Sequence, residues 1–217
     1  MGEKTESKIH AILLAAGLSK RFGNENKLLI LFRGKALAQH TIDLVCSMGT
    51  DVFDNIIFVY SDNKVAALAD SISMAGNAVS VQPQPLTLIH NTAPEKGQGE
   101  SVRLGVEAAH AGEDDFLFFF PCDQPFLDAD TVRRIFAARR KGCIVEPCCD
   151  TMRSSLAKSG ASPCLFSGVF RDELLSLQEG EAPRVIKARH SEALIRVEVS
   201  DPLILADIDY REMLESV

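Results

Sequence analysis

Short apolar segments alternate along this chain with longer segments in which apolar residues recur every three or four positions. The short segments favour β-strands, and they cover residues 9–14, 55–60, 78–81, 115–121 and 143–147. The periodic segments favour amphipathic helices, and they cover residues 37–48, 63–74, 99–110 and 130–141. Continuously apolar strands separated by helices predict an α/β fold with three layers, α/β/α, around a mostly parallel sheet.

The length and composition are those of one globular unit. The chain has 217 residues, of which 46% are hydrophobic and 24% charged. There are no internal repeats and no low-complexity linker, and residues 152–160 form the most loop-like interior segment. We therefore expect a single domain over residues 1–217.

The charge balance narrows the range of partners. The formal net charge of −7 argues against a nucleic-acid partner. No apolar stretch approaches the roughly 18 residues that cross a membrane, so no membrane association is expected. The start of the chain is polar and does not resemble a signal peptide, which favours the cytoplasm.

The six cysteines do not form a zinc pattern, because no Cys-x-x-Cys occurs and the five histidines are scattered. The adjacent Cys148 and Cys149 leave a soft-metal or oxidant-sensing role open. Reduced cysteines in or beside a core are the simpler interpretation.

The first apolar strand runs into a turn that is rich in small residues and cations. These residues are Gly17, Ser19, Gly23, Lys20, Arg21 and Lys27. Small residues let an anion approach the backbone N–H groups, and the cations attract phosphate. The segment is neither a Walker A loop nor a dinucleotide fingerprint. It nevertheless predicts a nucleotide-phosphate site at the mouth of a sheet.

Carboxylates follow later apolar segments. Asp123 ends the phenylalanine-rich strand, and it is either a turn cap or a ligand for magnesium, which prefers carboxylate and phosphate oxygens. Asp207 and Asp209 are two residues apart, so on a strand they would face the same side. Asp209 is also a candidate cap for a final helix over residues 210–217.

The glycine turn resembles the Leu-Ala-Ala-Gly-x-Ser-x-Arg-x-Gly-x-x-Lys signature of the MobA-like nucleotidyltransferases. The matching residues are Leu14, Ala15, Ala16, Gly17, Ser19, Arg21, Gly23 and Lys27. Asp123-Gln124-Pro125 and the Asp-Ile-Asp at 207–209 are similar to further family motifs. Asn91, Gly97 and Ser101 match a segment that lies over the base and sugar in relatives.

The resemblance implies the Rossmann-like fold of the nucleotide-diphospho-sugar transferases and nucleotidyl transfer from a nucleoside triphosphate to a phosphate-bearing acceptor. The residues that would bind the nucleotide are Leu14, Ala15, Ala16, Gly17, Ser19, Arg21, Lys27, Asn91, Gly97 and Ser101. Arg21, Lys27 and Asp123 would be catalytic, and Mg²⁺ would bind Asp123, with Asp207 favoured as the second ligand. No general base is expected, since a phosphate monoester is already an anion.

Within the family, Ala-Ala-Gly at the turn goes with cytidine transfer to molybdopterin, and the methyl group of Ala16 takes space beside the base. CTP and molybdopterin are therefore the expected substrates, and an apo molybdenum hydroxylase is a possible partner. Two acceptor-side segments, 158–163 and 180–184, depart from the family pattern. Two alternatives stay open, which are a sugar or polyol phosphate as the acceptor and a non-catalytic carrier that keeps the nucleotide pocket.

Overall fold

The computed structural model describes residues 7–23, 25–75, 85–149 and 162–213. Within these ranges the strands are β1 Ile9–Ala15, β2 Leu31–Phe32, β3 Lys35–Ala36, β4 Asn55–Tyr60, β5 Leu86–His90, β6 Phe116–Pro121, β7 Ile144–Cys148, β8 Cys164–Ser167 and β9 Leu194–Glu198. The α-helices are α1 Leu37–Met48, α2 Asn63–Ala75, α3 Gln98–Ala109, α4 Ala129–Ala137, α5 Arg171–Leu175 and α6 Arg184–Arg189.

Seven of the described strands form one sheet in the order β5-β4-β1-β6-β8-β7-β9. Neighbouring strands are parallel except that β8 runs antiparallel to both β6 and β7. The strands β2 and β3 form a separate antiparallel hairpin. The mostly parallel sheet expected from the sequence is confirmed.

Helices cover both faces of the sheet, which confirms the three-layer prediction. One hydrophobic cluster joins α1, α2 and α4 to the side chains of Ile9, Ala11, Leu13 and Ala15. The other joins α3, α5 and α6 to Ile12 and Ala16. Alternate residues of β1 thus enter opposite cores, as the twofold side-chain period of a strand requires.

Several predicted bounds agree with the structure, and others do not. The strand at 55–60 and the helix at 37–48 have the predicted limits. The helix predicted over 130–141 ends at Ala137, where the Arg139 guanidinium donates to the Phe136 carbonyl oxygen at 2.8 Å. The predicted strand at 78–81 and loop at 152–160 lie outside the described residues.

Three strands of the sheet were not predicted from the sequence: β5, β8 and β9. β8 has only four residues, and β5 and β9 are edge strands whose side chains are half exposed. Such segments lack the continuous apolar run that marks the buried strands.

The chain order fixes where a ligand can bind. After β1 the chain proceeds outward through β4 to β5, and then α3 carries it back to β6 on the other side of β1. The carboxyl ends of β1 and β6 therefore flank the topological switch point, where open α/β sheets bind their ligands. The glycine turn and Asp123 follow these two strand ends.

In the described part of the chain, no helix has the length and apolarity that crossing a membrane requires.

The packing of α3 on the sheet gives a test of the fold. A Cβ at Gly105 would lie 2.5 Å from Ile12 Cγ2 and 3.3 Å from Val59 Cγ2, and both neighbours are fully buried. We expect Gly105→Ala to lower the free energy of unfolding by about 1–3 kcal/mol, measured by urea denaturation.

Gly112→Ala is the control for this substitution. There a Cβ would meet only Asp115 Oδ2, at the ordinary contact distance of 3.5 Å. If Gly105→Ala were as stable as Gly112→Ala, the close approach of α3 to β1 would be wrong.

Candidate functional site

The glycine turn after β1 leaves space beside Gly17, while hydrogen bonds of Ser19 and Asn26 hold its far end. No heavy atom lies within 4 Å of the position that a Cβ would take at Gly17. Ser19 has a left-handed backbone (φ 49°), and its hydroxyl accepts a hydrogen bond from the Lys27 N–H at 3.2 Å. Asn26 caps the short 3-10 helix Lys27–Leu29 by accepting from the Leu28 N–H. The loop therefore folds back and places Lys27 beside the strand ends.

Lys27 is the centre of the charged network. Its ammonium lies 2.6 Å from Asp123 Oδ2, 3.2 Å from the Ile208 carbonyl oxygen and 3.5 Å from Asp209 Oδ1. Burial of the side chain favours the neutral amine, but the attraction of Asp123, Asp209 and Asp207 outweighs it and raises the pKa of Lys27. Lys27 is thus a fixed positive charge at the strand ends.

Arg21 is the more accessible cation. Its Nη1 lies 3.0 Å from Asp209 Oδ2, and its guanidinium lies over the ring of Tyr210 at 5.2 Å from the ring centre. Half of the Arg21 side chain is exposed. The guanidinium can therefore move to meet an anion.

Two carboxylates lie beneath these cations. Asp123 Oδ1 is buried and has no hydrogen-bond partner in the described structure. Asp207 Oδ1 accepts from the Gln124 side-chain amide at 2.8 Å. Burial, with the negative charge of Asp123 next, raises the pKa of Asp207 to about 7.

The Asp123 carboxylate is a ligand of the kind that magnesium accepts together with phosphate, and Asp207 is close enough to Asp123 to feel its charge. Magnesium takes one or two carboxylates and keeps its other positions for water and phosphate oxygens. The unpartnered Asp123 Oδ1 offers a free acceptor of the required kind. No group of three or more potential protein ligands occurs among the described residues, so an all-protein metal cage is not formed there.

A cleft of about 540 Å³ joins these elements at the carboxyl edge of the sheet. Its walls include Leu14, Ala16, Gly17, Leu18, Ser19, Arg21, Phe22, Lys27, Leu28, Pro94, Glu95, Gly97, Gln98, Ser101, Pro121, Asp123 and Asp209. The structure therefore brings most of the predicted site residues around one space.

Three predicted site residues do not line this cleft. Ala15 is buried in the core on the opposite face of the sheet. Asn91 is 1% exposed, and its amide donates to the Ser101 hydroxyl at 3.0 Å, so it supports the wall from behind. Asp207 lies below the cleft on the Gln124 amide.

The expected strand around Asp207 and Asp209 is wrong. Residues 206–209 are irregular, because they follow a short 3-10 helix, Pro202–Leu205, and the Ile208 N–H pairs with the Asp123 carbonyl oxygen. The helix expected over 210–217 is absent at 210–212, Met213 is helical, and residues 214–217 lie outside the described part. The Asp209 carboxylate contacts Arg21 and Lys27 instead of capping a helix.

A second depression, of about 480 Å³, lies at the opposite, amino edge of the sheet. Its buried titratable residue is His10, whose Nε2 lies 3.7 Å from Asp115 Oδ2. Asp115 is held in turn by the backbone N–H groups of Lys8 and Gly112. The glycine turn, Lys27 and Asp123 are all at the other edge, which makes the larger cleft the candidate site.

A profile of the MobA-like NTP transferase domain matches residues 11–194, which is most of the chain and includes the glycine turn and Asp123. The chain belongs to the MobA-like NTP transferase family. The family resemblance expected from the turn is therefore confirmed, and the protein is a nucleotidyltransferase by family.

Two curated relatives carry different names. Nicotine blue oxidoreductase of Paenarthrobacter nicotinovorans is 24% identical over 215 residues, which cover 99% of this chain and 98% of that protein. A molybdenum cofactor guanylyltransferase of Shewanella sp. (strain W3-18-1) is 27% identical over 132 residues. The latter match covers 61% of this chain and only 57% of that protein's length.

A solved structure confirms the fold of this MobA-like NTP transferase. Rv0371c from Mycobacterium tuberculosis H37Rv superposes with a TM-score of 0.66 at 23% identity, over 97% of this chain and all of that chain. A structure of the same protein in complex with manganese superposes with a TM-score of 0.64.

The site of this MobA-like NTP transferase also contains residues that the sequence analysis did not place there. Asp209 rather than Asp207 lines the cleft, together with Asp123 and Glu95. A small cluster of Phe22, Phe32, Leu37 and Ile208 packs with Phe126 and fixes the loops around the site. Phe22 directly follows Arg21 in the sequence, and Ile208 directly precedes Asp209. An apolar residue beside a charged residue in a loop is the sequence signal that could have identified these two residues.

The pKa of Asp207 predicts how stability depends on pH. The folded protein binds this proton more tightly than the unfolded chain, whose aspartate titrates near 3.8. The protonated form therefore contributes stability that is complete below about pH 4 and lost as the pH rises through about 7. In EDTA at pH 8, Asp207→Asn should therefore be more stable than the unsubstituted protein.

The difference in free energy of unfolding between Asp207→Asn and the unsubstituted protein should shrink to near zero at pH 4. Urea denaturation across the pH range measures it. Glu113→Gln removes one exposed charge far from the cleft and serves as the control. Equal stability of Asp207→Asn and the unsubstituted protein at pH 8 would contradict the raised pKa of Asp207.

Proposed function

We propose that the protein is a divalent-metal-dependent nucleotidyltransferase that transfers CMP from CTP to a phosphate-bearing acceptor and releases pyrophosphate. The observation that carries the proposal is the single cleft at the carboxyl ends of β1 and β6. It combines an open glycine turn with two cations and a buried carboxylate, namely Arg21, Lys27 and Asp123.

The residues that line the cleft fall into two chemical groups, cations and small residues. We assign the triphosphate to the cations Arg21 and Lys27. We assign the base and sugar to Ala16, Gly97 and Ser101. The open face of Gly17 lets the chain of phosphates cross the turn close to the backbone.

In the proposed reaction an oxygen of the acceptor phosphate attacks the α-phosphorus of CTP. The bond from the α-phosphorus to the bridging oxygen of the β-phosphate breaks, and pyrophosphate leaves with that electron pair. Arg21 and Lys27 neutralise the charge that gathers on the leaving pyrophosphate. The attacking oxygen is already anionic, so the chain has to position it and needs no general base.

Asp123 and Asp207 are the residues that would hold Mg²⁺. When bound, the ion would supply Lewis-acid neutralisation of phosphate charge. Two features support a divalent metal, which are the free Asp123 Oδ1 and the manganese complex of the structural relative Rv0371c.

We favour CTP over GTP because of the Ala16 side chain. Ala16 is 4% exposed and lies on the cleft wall, where its methyl group takes space that a purine would need. The guanylyltransferase relative makes GTP the competing donor.

Molybdopterin is the acceptor that we favour, with delivery to an apo molybdenum hydroxylase as a further step. The name of the Shewanella relative supports a molybdenum-cofactor acceptor. The acceptor-side segment at 180–184 adjoins the turn that contains Gly97, since the Gly180 N–H donates to the Lys96 carbonyl oxygen at 2.9 Å. An acceptor bound by that segment would therefore reach the cleft.

The first test is pyrophosphate release with Mg²⁺, comparing CTP, GTP, ATP and UTP with and without molybdopterin. Release should require CTP and the pterin together. Lys27→Ala should lower turnover by at least about 100-fold, because it removes the buried cation at the leaving group.

Lys141→Ala is the matched control, because Lys141 is an exposed cation that pairs with Asp114 away from the cleft. Turnover of Lys27→Ala equal to that of Lys141→Ala would remove Lys27 from the mechanism. Tight CTP binding without release for any phosphorylated acceptor would favour a carrier over an enzyme. Release with a sugar or polyol phosphate alone would change the acceptor.

The choice of base has its own test. Ala16→Gly removes the methyl group on the cleft wall and should raise the ratio of GTP to CTP turnover by about tenfold, the effect of one methyl group in a fitted pocket. Ala15→Gly removes the neighbouring methyl group, which faces the opposite core, and should leave that ratio unchanged. Equal ratios in the two variants would show that Ala16 does not select the base.

A further inference from the structure

The ammonium of Lys27 is surrounded by oxygens of the protein itself. It donates hydrogen bonds to Asp123 and to the Ile208 carbonyl oxygen, and it forms an ion pair with Asp209 at 3.5 Å. A phosphate that approaches Lys27 from the cleft therefore meets the Asp209 carboxylate as a competing anion. Asp209 is the most distant, at 3.5 Å against 2.6 Å and 3.2 Å.

The carboxylate of Asp209 also occupies the second cation. Its other oxygen lies 3.0 Å from Arg21 Nη1, so one carboxylate bridges both residues that would hold the triphosphate. In the described part of the chain it makes no other hydrogen bond or ion pair. Its position therefore depends on the two cations alone.

The backbone beneath Asp209 is fixed, so the carboxylate can leave without moving the loop. Ile208 is completely buried, its N–H donates to the Asp123 carbonyl oxygen at 3.0 Å, and its own carbonyl oxygen accepts from Lys27. Asp209 is one-third exposed and lies on the cleft wall. A rotation of this one side chain toward solvent would release both cations.

We propose that Asp209 is an internal counter-anion that pairs with both phosphate-binding cations of the cleft and that the nucleotide must displace. The inference rests on the proposed function, because it concerns nucleotide binding at that same site. It makes the affinity for a phosphate ligand the outcome of a competition with a carboxylate already in place. A multiply charged triphosphate or pyrophosphate wins that competition more readily than a singly charged anion, since it meets both cations at once.

The test is the equilibrium affinity for CTP and for pyrophosphate, measured by titration calorimetry on the full chain in EDTA. Asp209→Asn removes the competing charge and keeps the size of the side chain. We expect both ligands to bind about tenfold more tightly, since two partly exposed ion pairs no longer have to be broken. Asp209→Ser should show the same gain and guards against a folding defect peculiar to one variant.

Two controls separate displacement from a general change of charge. Asp209→Glu keeps the carboxylate and should bind CTP within about threefold of the unsubstituted protein, as one retained pair of this kind implies. Asp114→Asn removes one negative charge from an exposed pair outside the cleft and should leave both affinities unchanged. Thermal unfolding of each variant verifies that it is folded.

Unchanged or weaker binding in folded Asp209→Asn and Asp209→Ser would overturn the inference while leaving the proposed function intact. An equal gain in Asp114→Asn would also overturn it, because net charge would then be the cause. Failure of the unsubstituted protein and of every variant to bind CTP, GTP or pyrophosphate, both in EDTA and with Mg²⁺, would overturn the proposed function and the inference together.

Discussion

The ion pair between Lys27 and Asp123 connects parts of the protein that are 96 residues apart in sequence. Asp123 follows the central strand β6, and Lys27 ends the loop that follows β1. Both side chains are largely buried, so either charge would be costly without the other. The pair therefore fixes the distance between the glycine turn and the strand end, and the carboxyl-terminal segment attaches to it through Ile208.

A small apolar cluster, separate from the two main cores, supports this polar arrangement. Phe22, Ile208 and Phe126 each lie one to three residues from a charged group of the site, and they pack together with Phe32 and Leu37. Burial of these rings and side chains orients three loops at once. The charged groups of a loop-built site thus gain the rigidity that is usual for residues on regular elements.

Features that depend on a local sequence pattern could be predicted. Features that depend on a contact between distant segments of the chain could not. The buried strands, the glycine turn and Asp123 have strong local signals, and their positions follow from the order of elements. The edge strands β5 and β9 carry mixed polarity, so their pairing is visible only in the sheet. Asp209 meets Arg21 across 188 residues, and no spacing rule shows that Asp209 rather than Asp207 lines the cleft.

Main-chain hydrogen bonds join the turn at 96–99 to the segment at 180–184, which is the proposed acceptor side. These bonds bear on how such a protein can change its substrate. Gly99 N–H donates to the Glu181 carbonyl oxygen, and Gly180 N–H donates to that of Lys96. These bonds use no side-chain atoms. In the proposed reaction, substitution at 181–184 would therefore alter the surface offered to the acceptor while the turn at 96–99 keeps its place. Acceptor choice and donor binding would in that case be separable during divergence.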